Sequence, residues 1–206
     1  MSSCEYRGCV AEEARLVDTG AGLVPQGDGW FVLNVRNAAW MRNDVFGARC
    51  GFEADGRLVK ERPELEVQQH PQVGFKLHVL EPGRPSTMYH RESAQEGFLV
   101  LSGECVLLVE GEERRLRAWD FFHCAPDTTH SFVGAGDGPC VILMVGARAE
   151  HGTILYPRHH VAIAHGAGVE QDTPSPQEAY SAFPHWRLGR PDQWAELPWS
   201  AEHRRG

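Results

Sequence analysis

Lysine is nearly absent from this chain: of its twenty basic residues only Lys60 and Lys76 are lysines. No cluster of Arg or Lys stands out, and the formal net charge is −8. A surface that must neutralise a phosphate backbone needs such a cluster, so a nucleic-acid partner is not expected. Long hydrophobic runs are also missing; none approaches the ~18 residues that cross a bilayer as a helix. The N-terminal stretch MSSCEYRGCVAEEARL lacks the apolar core of a signal peptide. No membrane partner is therefore expected, and a cytoplasmic location is the default expectation. Six cysteines in a chain of 206 residues without an export signal do not make a disulfide framework. Cys4 and Cys9, with Cys50 far downstream, lack the second pair that a structural zinc site of this kind needs. Cys105, Cys124 and Cys140 lie in apolar runs and read as small buried hydrophobes.

What is present is an ordinary globular composition, 42% apolar and 23% charged, long enough for one domain and a flank. There is no fixed-period repeat and no low-complexity tract. Three zones emerge. Residues 1–72 form a mixed flank that contributes strands to a central domain or covers it. It holds a short helix near Ala11–Leu16, a Gly-rich stretch from Gly20 to Gly29, a strand-like Trp30–Val35, and one or two strands within Asn37–Glu53. Residues 73–148 are the clearest zone. Val73–Leu80 reads as a strand closed by Glu81-Pro82-Gly83. Phe98–Leu101 and Cys105–Val109 read as a hairpin across Ser102-Gly103-Glu104, and Glu110-Gly111-Glu112-Glu113 makes a second tight turn. The mixed-sign run Glu112–Arg117 reads as a solvated hairpin arm. Asp120–Ala125, His130–Val133 and Cys140–Val145 supply three more strands, broken by Pro126-Asp127 and by Gly134–Pro139. Short strands with frequent turn signals and no helical period predict an all-β antiparallel barrel or sandwich. Residues 149–206 are an extension: Ser175 caps a short helix with Pro176 at its first position and Glu178 three residues on, and Trp186, Trp194 and Trp199 pack it on the barrel or on a partner subunit.

Chemistry concentrates in the segment Gly83–Gly103, GRPSTMYHRESAQEGFLVLSG. His90 and Glu92 are two apart, so on a strand both side chains leave the same face, their Cα atoms roughly 7 Å apart. Glu96 follows after a three-residue loop and opens the next strand, whose Phe98 and Val100 share its face. His130, thirty-four residues further on, begins another strand directly after Pro126-Asp127-Thr128-Thr129, a turn that aims it inward. Imidazole and carboxylate donors meeting at one point suit a divalent metal ion: Fe, Mn, Ni or Zn. The expected ligands are His90, Glu96 and His130, with Glu92 as a fourth or as a hydrogen-bond acceptor beside the ion. Tyr89 points away by strand alternation. Lys76 and His78 share a parity on the preceding strand and reach the ligand site if that face is interior; Phe122 and Cys124 share another. His159, His160 and His165 lack a carboxylate at ligand spacing and read as surface histidines.

Over residues 73–148 this pattern resembles the cupin superfamily. Gly83, His90-x-Glu92, Glu96 and Gly103 follow the first cupin motif, with the Glu-to-Gly spacing intact, and Pro126-Asp127-Thr128-Thr129-His130 follows the second. Glu92 stands where the family has its second histidine, Asp127 where a glycine follows the proline, and Gly134 where Asn is frequent. The resemblance implies a cupin-type jelly-roll barrel, one bound divalent metal, a small-molecule ligand in the barrel and a homodimer. It also implies a small metalloenzyme, dioxygenase-like or isomerase-like, acting on an organic molecule. The alternative is a non-catalytic binding or sensor module that uses the same cavity. No individual catalytic residue and no organic cofactor is read from the sequence.

Overall fold

The computed structural model describes residues 12–27, 29–52, 72–148 and 152–200; Cys4, Cys9 and Ala11 lie outside the described residues. Every strand pair described is antiparallel. The larger sheet is built from β3 (Met41–Asn43), β4 (Gly47–Phe52), β5 (Val73–Leu80), β7 (Glu96–Ser102), β10 (Phe121–Cys124), β12 (Cys140–Ala147) and β14 (Arg187–Leu188), in the order β10-β7-β12-β5-β4-β3-β14. A smaller sheet is made of β8 (Glu104–Val109), β9 (Glu112–Arg117) and β11 (His130–Ala135), in the order β11-β8-β9. Bridges from Pro85 to Val133 and from His90 to His130 extend it toward a two-stranded ladder of β6 (Arg91–Glu92) and β13 (Ile154–Leu155). The hairpin of β1 (Arg15–Asp18) and β2 (Leu23–Gln26) stands apart.

The two sheets face each other across one core. Leu80, Phe98, Val100, Cys124, Cys140, Ile142 and Met144 come from the larger sheet, and Cys105, Leu107 and Phe132 from the smaller. The alternation of these strands explains the second layer on each side. Val79 and Val141 point out of the larger sheet and are covered by Trp40 and by the C-terminal Leu197, Trp194 and Trp199. Leu108 and Val133 point out of the smaller sheet and are covered by α1 (His160–Ala164) and the Ala167 that follows. Among the described residues no helix is long and apolar enough to cross a membrane.

The short helix α2 (Pro176–Ala179) starts as its sequence dictates, with the Ser175 hydroxyl accepting the Glu178 N–H at 3.2 Å and Pro176 at the first position. The strand β9 is exposed along most of its length. Three local expectations differ from the structure. The helix near Ala11–Leu16 is replaced by strand β1. Ala11–Leu16 spans fewer than two helical turns, too short to offset nucleation, whereas Arg15–Asp18 gains four cross-strand pairs and a hydrogen bond from Arg15 Nη2 to Gln26 Oε1 at 2.7 Å. Trp30–Val35 is not a strand beyond a single bridge at Trp30. Asn34 captures the backbone instead: its side-chain oxygen accepts the Arg36 N–H at 3.0 Å and its carbonyl the Asn37 N–H at 2.8 Å. Leu33 packs against the Trp40 cluster and Phe31 against Phe52, while Val32 is 78% exposed, so the run is anchored by side chains without strand pairing.

The third difference is at Gly103. The chain does not fold β8 back on β7; it passes from the larger sheet to the smaller. Gly103 has φ +72°, and a Cβ there would meet the Pro139 carbonyl oxygen at 2.5 Å, so the corner tolerates only glycine. The true hairpin is at Glu110-Gly111, where both residues have positive φ, as a tight two-residue turn between twisted strands demands.

Candidate metal centre

The site is assembled from backbone pairing. His90 and His130 are bridge partners, His90 N–H donating to the His130 carbonyl at 3.1 Å and His130 N–H to the His90 carbonyl at 2.8 Å. Directly opposed residues send their side chains to the same face, and the two imidazole centroids lie 5.0 Å apart. The turn before His130 depends on Asp127, whose φ is +62° and whose N–H donates to the Glu92 carbonyl at 2.8 Å. Asp accepts this left-handed conformation more readily than most residues. Glu96 arrives from the other sheet at the start of β7, paired with Cys124 on one side and Gly146 on the other.

Ligand-capable atoms of His90, Glu96 and His130 all lie within 4.8 Å of one another, and this is the one such group among the described residues. His130 Nε2 is 3.4 Å from Glu96 Oε2. Each imidazole is held in one tautomer, because its Nδ1 faces an oxygen that can only accept: the Met88 carbonyl at 2.8 Å for His90 and the Thr128 carbonyl at 3.1 Å for His130. Nδ1 must carry the hydrogen in both, which leaves the Nε2 lone pairs free to ligate. Glu96 Oε2 is buried with no hydrogen-bond partner, and an orphaned carboxylate oxygen beside imidazole Nε2 is what a cation would satisfy. The donor set fits a divalent ion of the Fe, Mn, Ni or Zn type, with His90, Glu96 and His130 to hold it.

Glu92 is not one of the three. It hydrogen-bonds to Glu96, and its charge raises the Glu96 carboxyl and also holds His90 up against burial. Burial first and this neighbouring carboxylate second push Glu96 up to about 9. Burial pulls His130 down to about 3, with His90 adding to the effect, and lowers His90 as well. The metal-free centre thus holds two neutral imidazoles and a protonated Glu96 around neutral pH.

The sign of the resulting pH dependence follows. The Glu96 value lies above its ordinary 4.5, so the stability it contributes is complete below 4.5 and lost as pH rises through about 9. The His130 value lies below its ordinary 6.5, so its contribution is complete above 6.5 and lost as pH falls toward 3. In the presence of a chelator the melting temperature should fall toward acid through His130 and, from pH 6.5 to about 8, fall with rising pH through Glu96, before the buried Cys50 and Cys124 thiols add to the loss at higher pH. A melting temperature that climbs from pH 6.5 to about 9 contradicts the buried-carboxyl assignment.

The surroundings are aromatic. Phe98 lies 5.1 Å and Phe122 6.0 Å, centroid to centroid, from the His130 ring, and Cys124 Sγ is 3.4 Å from His130 Nδ1. Tyr156 lies 5.7 Å from the His90 ring, placed there because β13 pairs with β6 and carries the next residue alongside His90. Its hydroxyl meets that of Tyr180, which accepts the Met88 N–H at 3.1 Å. Sequence reasoning missed Tyr156 and Tyr180: they come from the C-terminal extension, and no motif surrounds them. Tyr89 does turn away, its hydroxyl accepting the Gly111 N–H at 2.8 Å. His78 is buried and committed, donating from Nε2 to the Phe46 carbonyl at 2.6 Å. His165 pairs with Glu113 at 3.0 Å, and His159 stacks on His160 and Tyr89, away from the centre.

A protein-family model, the cupin domain, matches residues 76–146. This segment is a cupin domain. The smaller sheet, β7 and β10 and most of β5 and β12, the His90-x-Glu92 and Glu96 positions and the His130 turn fall inside the matched range, whereas β3, β4 and β14 of the larger sheet lie outside it. Solved structures similar to the cupin domain and its flanks include a candidate sugar phosphate isomerase from Acidithiobacillus ferrooxidans. It is 26% identical over 52% of this chain, with a TM-score of 0.41, and this chain spans 64% of its length, just under two thirds. A sugar phosphate isomerase from Silicibacter pomeroyi is 23% identical over 60% of this chain and 79% of its own, TM-score 0.47. The polyketide cyclase RemF from Streptomyces resistomycificus is 13% identical over 57% of this chain and 79% of its own, TM-score 0.45. No curated protein matches the chain.

Proposed function

We propose that the cupin domain binds one divalent metal ion through His90, Glu96 and His130 and acts as a small metalloenzyme on an organic molecule. The reading rests on one observation: the partnerless, buried Oε2 of Glu96, facing an imidazole nitrogen whose ring is locked to leave its lone pair free. A protein does not bury a carboxyl oxygen without a partner cheaply. When bound, the ion would supply Lewis-acid polarisation or redox chemistry at an open coordination position, which covers both dioxygenase-like and isomerase-like reactions.

The chain's own residues favour catalysis over passive binding. Three protein donors leave positions open, unlike the closed four-ligand set of a structural site. Glu92 is positioned to take or return a proton beside the centre, being hydrogen-bonded to Glu96 and only part-buried. Tyr156 closes the His90 side with a ring and a hydroxyl.

Elemental analysis of protein expressed in iron-, manganese- and zinc-defined media tests the metal. Oxygen uptake by each form, in the presence of candidate organic substrates, then separates dioxygen chemistry from isomerisation. One metal per chain in at least one medium is expected; substoichiometric metal in all of them removes the reading.

A further inference from the structure

The segment that carries His90 runs beside β11 out of step with it. Pro85 bridges Val133 and His90 bridges His130, so the chain advances five residues while β11 advances three. The two extra residues form a bulge, a device that re-aims the side chain that follows it. On either side the amides stay in the ladder: Ser86 N–H donates to the Phe132 carbonyl at 2.8 Å and His90 N–H to the His130 carbonyl at 3.1 Å. Within the bulge they turn to the C-terminal extension. Met88 N–H donates to the Tyr180 hydroxyl at 3.1 Å, and Tyr89 N–H to the Ala167 carbonyl at 2.7 Å. Tyr180 and Ala167 both lie beyond residues 76–146, the range that matches the cupin domain. Met88 is therefore held at both ends, at its N–H by Tyr180 and at its carbonyl by His90 Nδ1 at 2.8 Å. Tyr180 is itself fixed. It follows α2 directly, its N–H donates to the Pro176 carbonyl at 3.0 Å, and its ring meets Phe46 edge-on at 5.3 Å and Tyr156 at 5.8 Å.

We propose that Tyr180 is a positioning residue for the metal centre: by fixing Met88 in the bulge it sets where the Met88 carbonyl holds the His90 ring, and through that the affinity for the ion. This rests on the metal-centre reading above. A ligating histidine is oriented by the acceptor on its other ring nitrogen, and loss of such an outer partner weakens metal binding about 10–100-fold. For His90 that acceptor is a backbone carbonyl, so its placement depends on whatever holds the residue that carries it. His130 needs no such support from outside. Its acceptor, the Thr128 carbonyl, belongs to a turn closed by Thr128 N–H on the Ala125 carbonyl at 3.2 Å, inside the matched range. The centre is therefore asymmetric: the cupin domain orients one imidazole, and the C-terminal extension orients the other.

Zinc affinity of the full chain, measured by competition with a chelating dye, and the visible absorption of the cobalt-loaded protein test this. Tyr180→Phe keeps the ring against Phe46 and Tyr156 and removes only the hydroxyl. It should bind zinc about tenfold or more weakly and shift the cobalt bands. Tyr156→Phe breaks the contact between the two hydroxyls but leaves Tyr180 on Met88, and should weaken zinc binding less. Trp40→Phe is the control for stability alone: it loses a buried hydrogen bond elsewhere, so it should melt lower yet match wild type in zinc affinity and cobalt bands. If Tyr180→Phe melts lower but binds zinc and cobalt as wild type does, its hydroxyl serves only the fold and the inference is overturned while the metal centre stands. A loss in Tyr156→Phe as large as in Tyr180→Phe also overturns it, because the contact with Met88 is then not the determinant. If wild type takes up no zinc, cobalt or other divalent ion, the metal centre itself fails and the role of Tyr180 with it.

Discussion

Glu96→Gln is expected to strip the centre of its metal while leaving the metal-free protein at least as stable as wild type at about pH 8. The substitution keeps the shape of the side chain and removes only the ability to become a carboxylate. A four-ligand structural zinc site is worth about 10–16 kcal/mol, so one ligand accounts for about 3–4 kcal/mol, and its loss should weaken binding by roughly two to three orders of magnitude. Stability moves the other way for a separate reason. In the metal-free fold the Glu96 carboxyl prefers to stay protonated, pushed up to about 9 by burial and by Glu92. Glutamine is permanently neutral and escapes the cost of ionising there. Metal titration and thermal melting with chelator, on the same two proteins, measure both effects. A variant that binds metal like wild type removes Glu96 from the ligand set. A variant much less stable than wild type without metal shows that Glu96 serves the fold.

Much of the geometry of this candidate centre was legible in the sequence because the placement of its residues depends on local structure. His90 and Glu92 share a short extended segment, Glu96 starts a strand, and Pro126-Asp127 makes the turn that delivers His130; each device is written in adjacent residues. What links them is not local. The bridge between His90 and His130 is a pairing across forty residues, and it alone makes their rings neighbours. The spacing allowed Glu92 as a direct ligand; the group of three whose ligand atoms converge is His90, Glu96 and His130, with Glu92 beside it. Tyr156 was illegible for the same reason: the two-residue ladder of β6 and β13 that positions it has no pattern of its own.

The fold shows a similar boundary. Most strand content between Val73 and Ala147 follows from apolar runs and turn residues, and β5, β7, β8, β10, β11 and β12 fall where those signals place them, whereas the charged β9 and the short β6 carry no apolar run. Partner choice does not. Ser102-Gly103-Glu104 announces a change of direction, and a glycine with positive φ serves a hairpin and a sheet-to-sheet corner equally well. The corner is selected by the core, because it lets Val100 and Leu107 face each other from opposite sheets. In the flank, Trp30–Val35 carries the composition of a strand, but its pairing is limited to the bridge from Trp30 to Glu13, and Asn34 takes the backbone into a turn.

Trp40→Ala is expected to cost about 3–5 kcal/mol, a large share of the ~5–15 kcal/mol that holds a domain folded. Trp40 is fully buried and gathers three parts of the chain. Its indole N–H donates to the Val35 carbonyl at 2.9 Å, its ring meets Trp194 edge-on at 5.5 Å and Trp199 at 5.7 Å, and it packs over Val79 and Val141 of the central strands. Truncation opens a cavity where the C-terminal segment docks and exposes the outer face of β5 and β12 beneath it. Trp40→Phe keeps a ring for Trp194 and Trp199 and loses chiefly the hydrogen bond, so it should cost much less, about 1–2 kcal/mol. Denaturant midpoints compare the two, and protease digestion under native conditions reports where Trp40→Ala opens. Cleavage beginning near Trp194 is expected, because that segment loses its principal contact first. The proposed metal ligands lie on the opposite face of the same sheet and on its partner, so metal content below the unfolding midpoint should match wild type. A Trp40→Ala protein that melts like Trp40→Phe would mean that the C-terminal segment is held by something other than the tryptophan cluster.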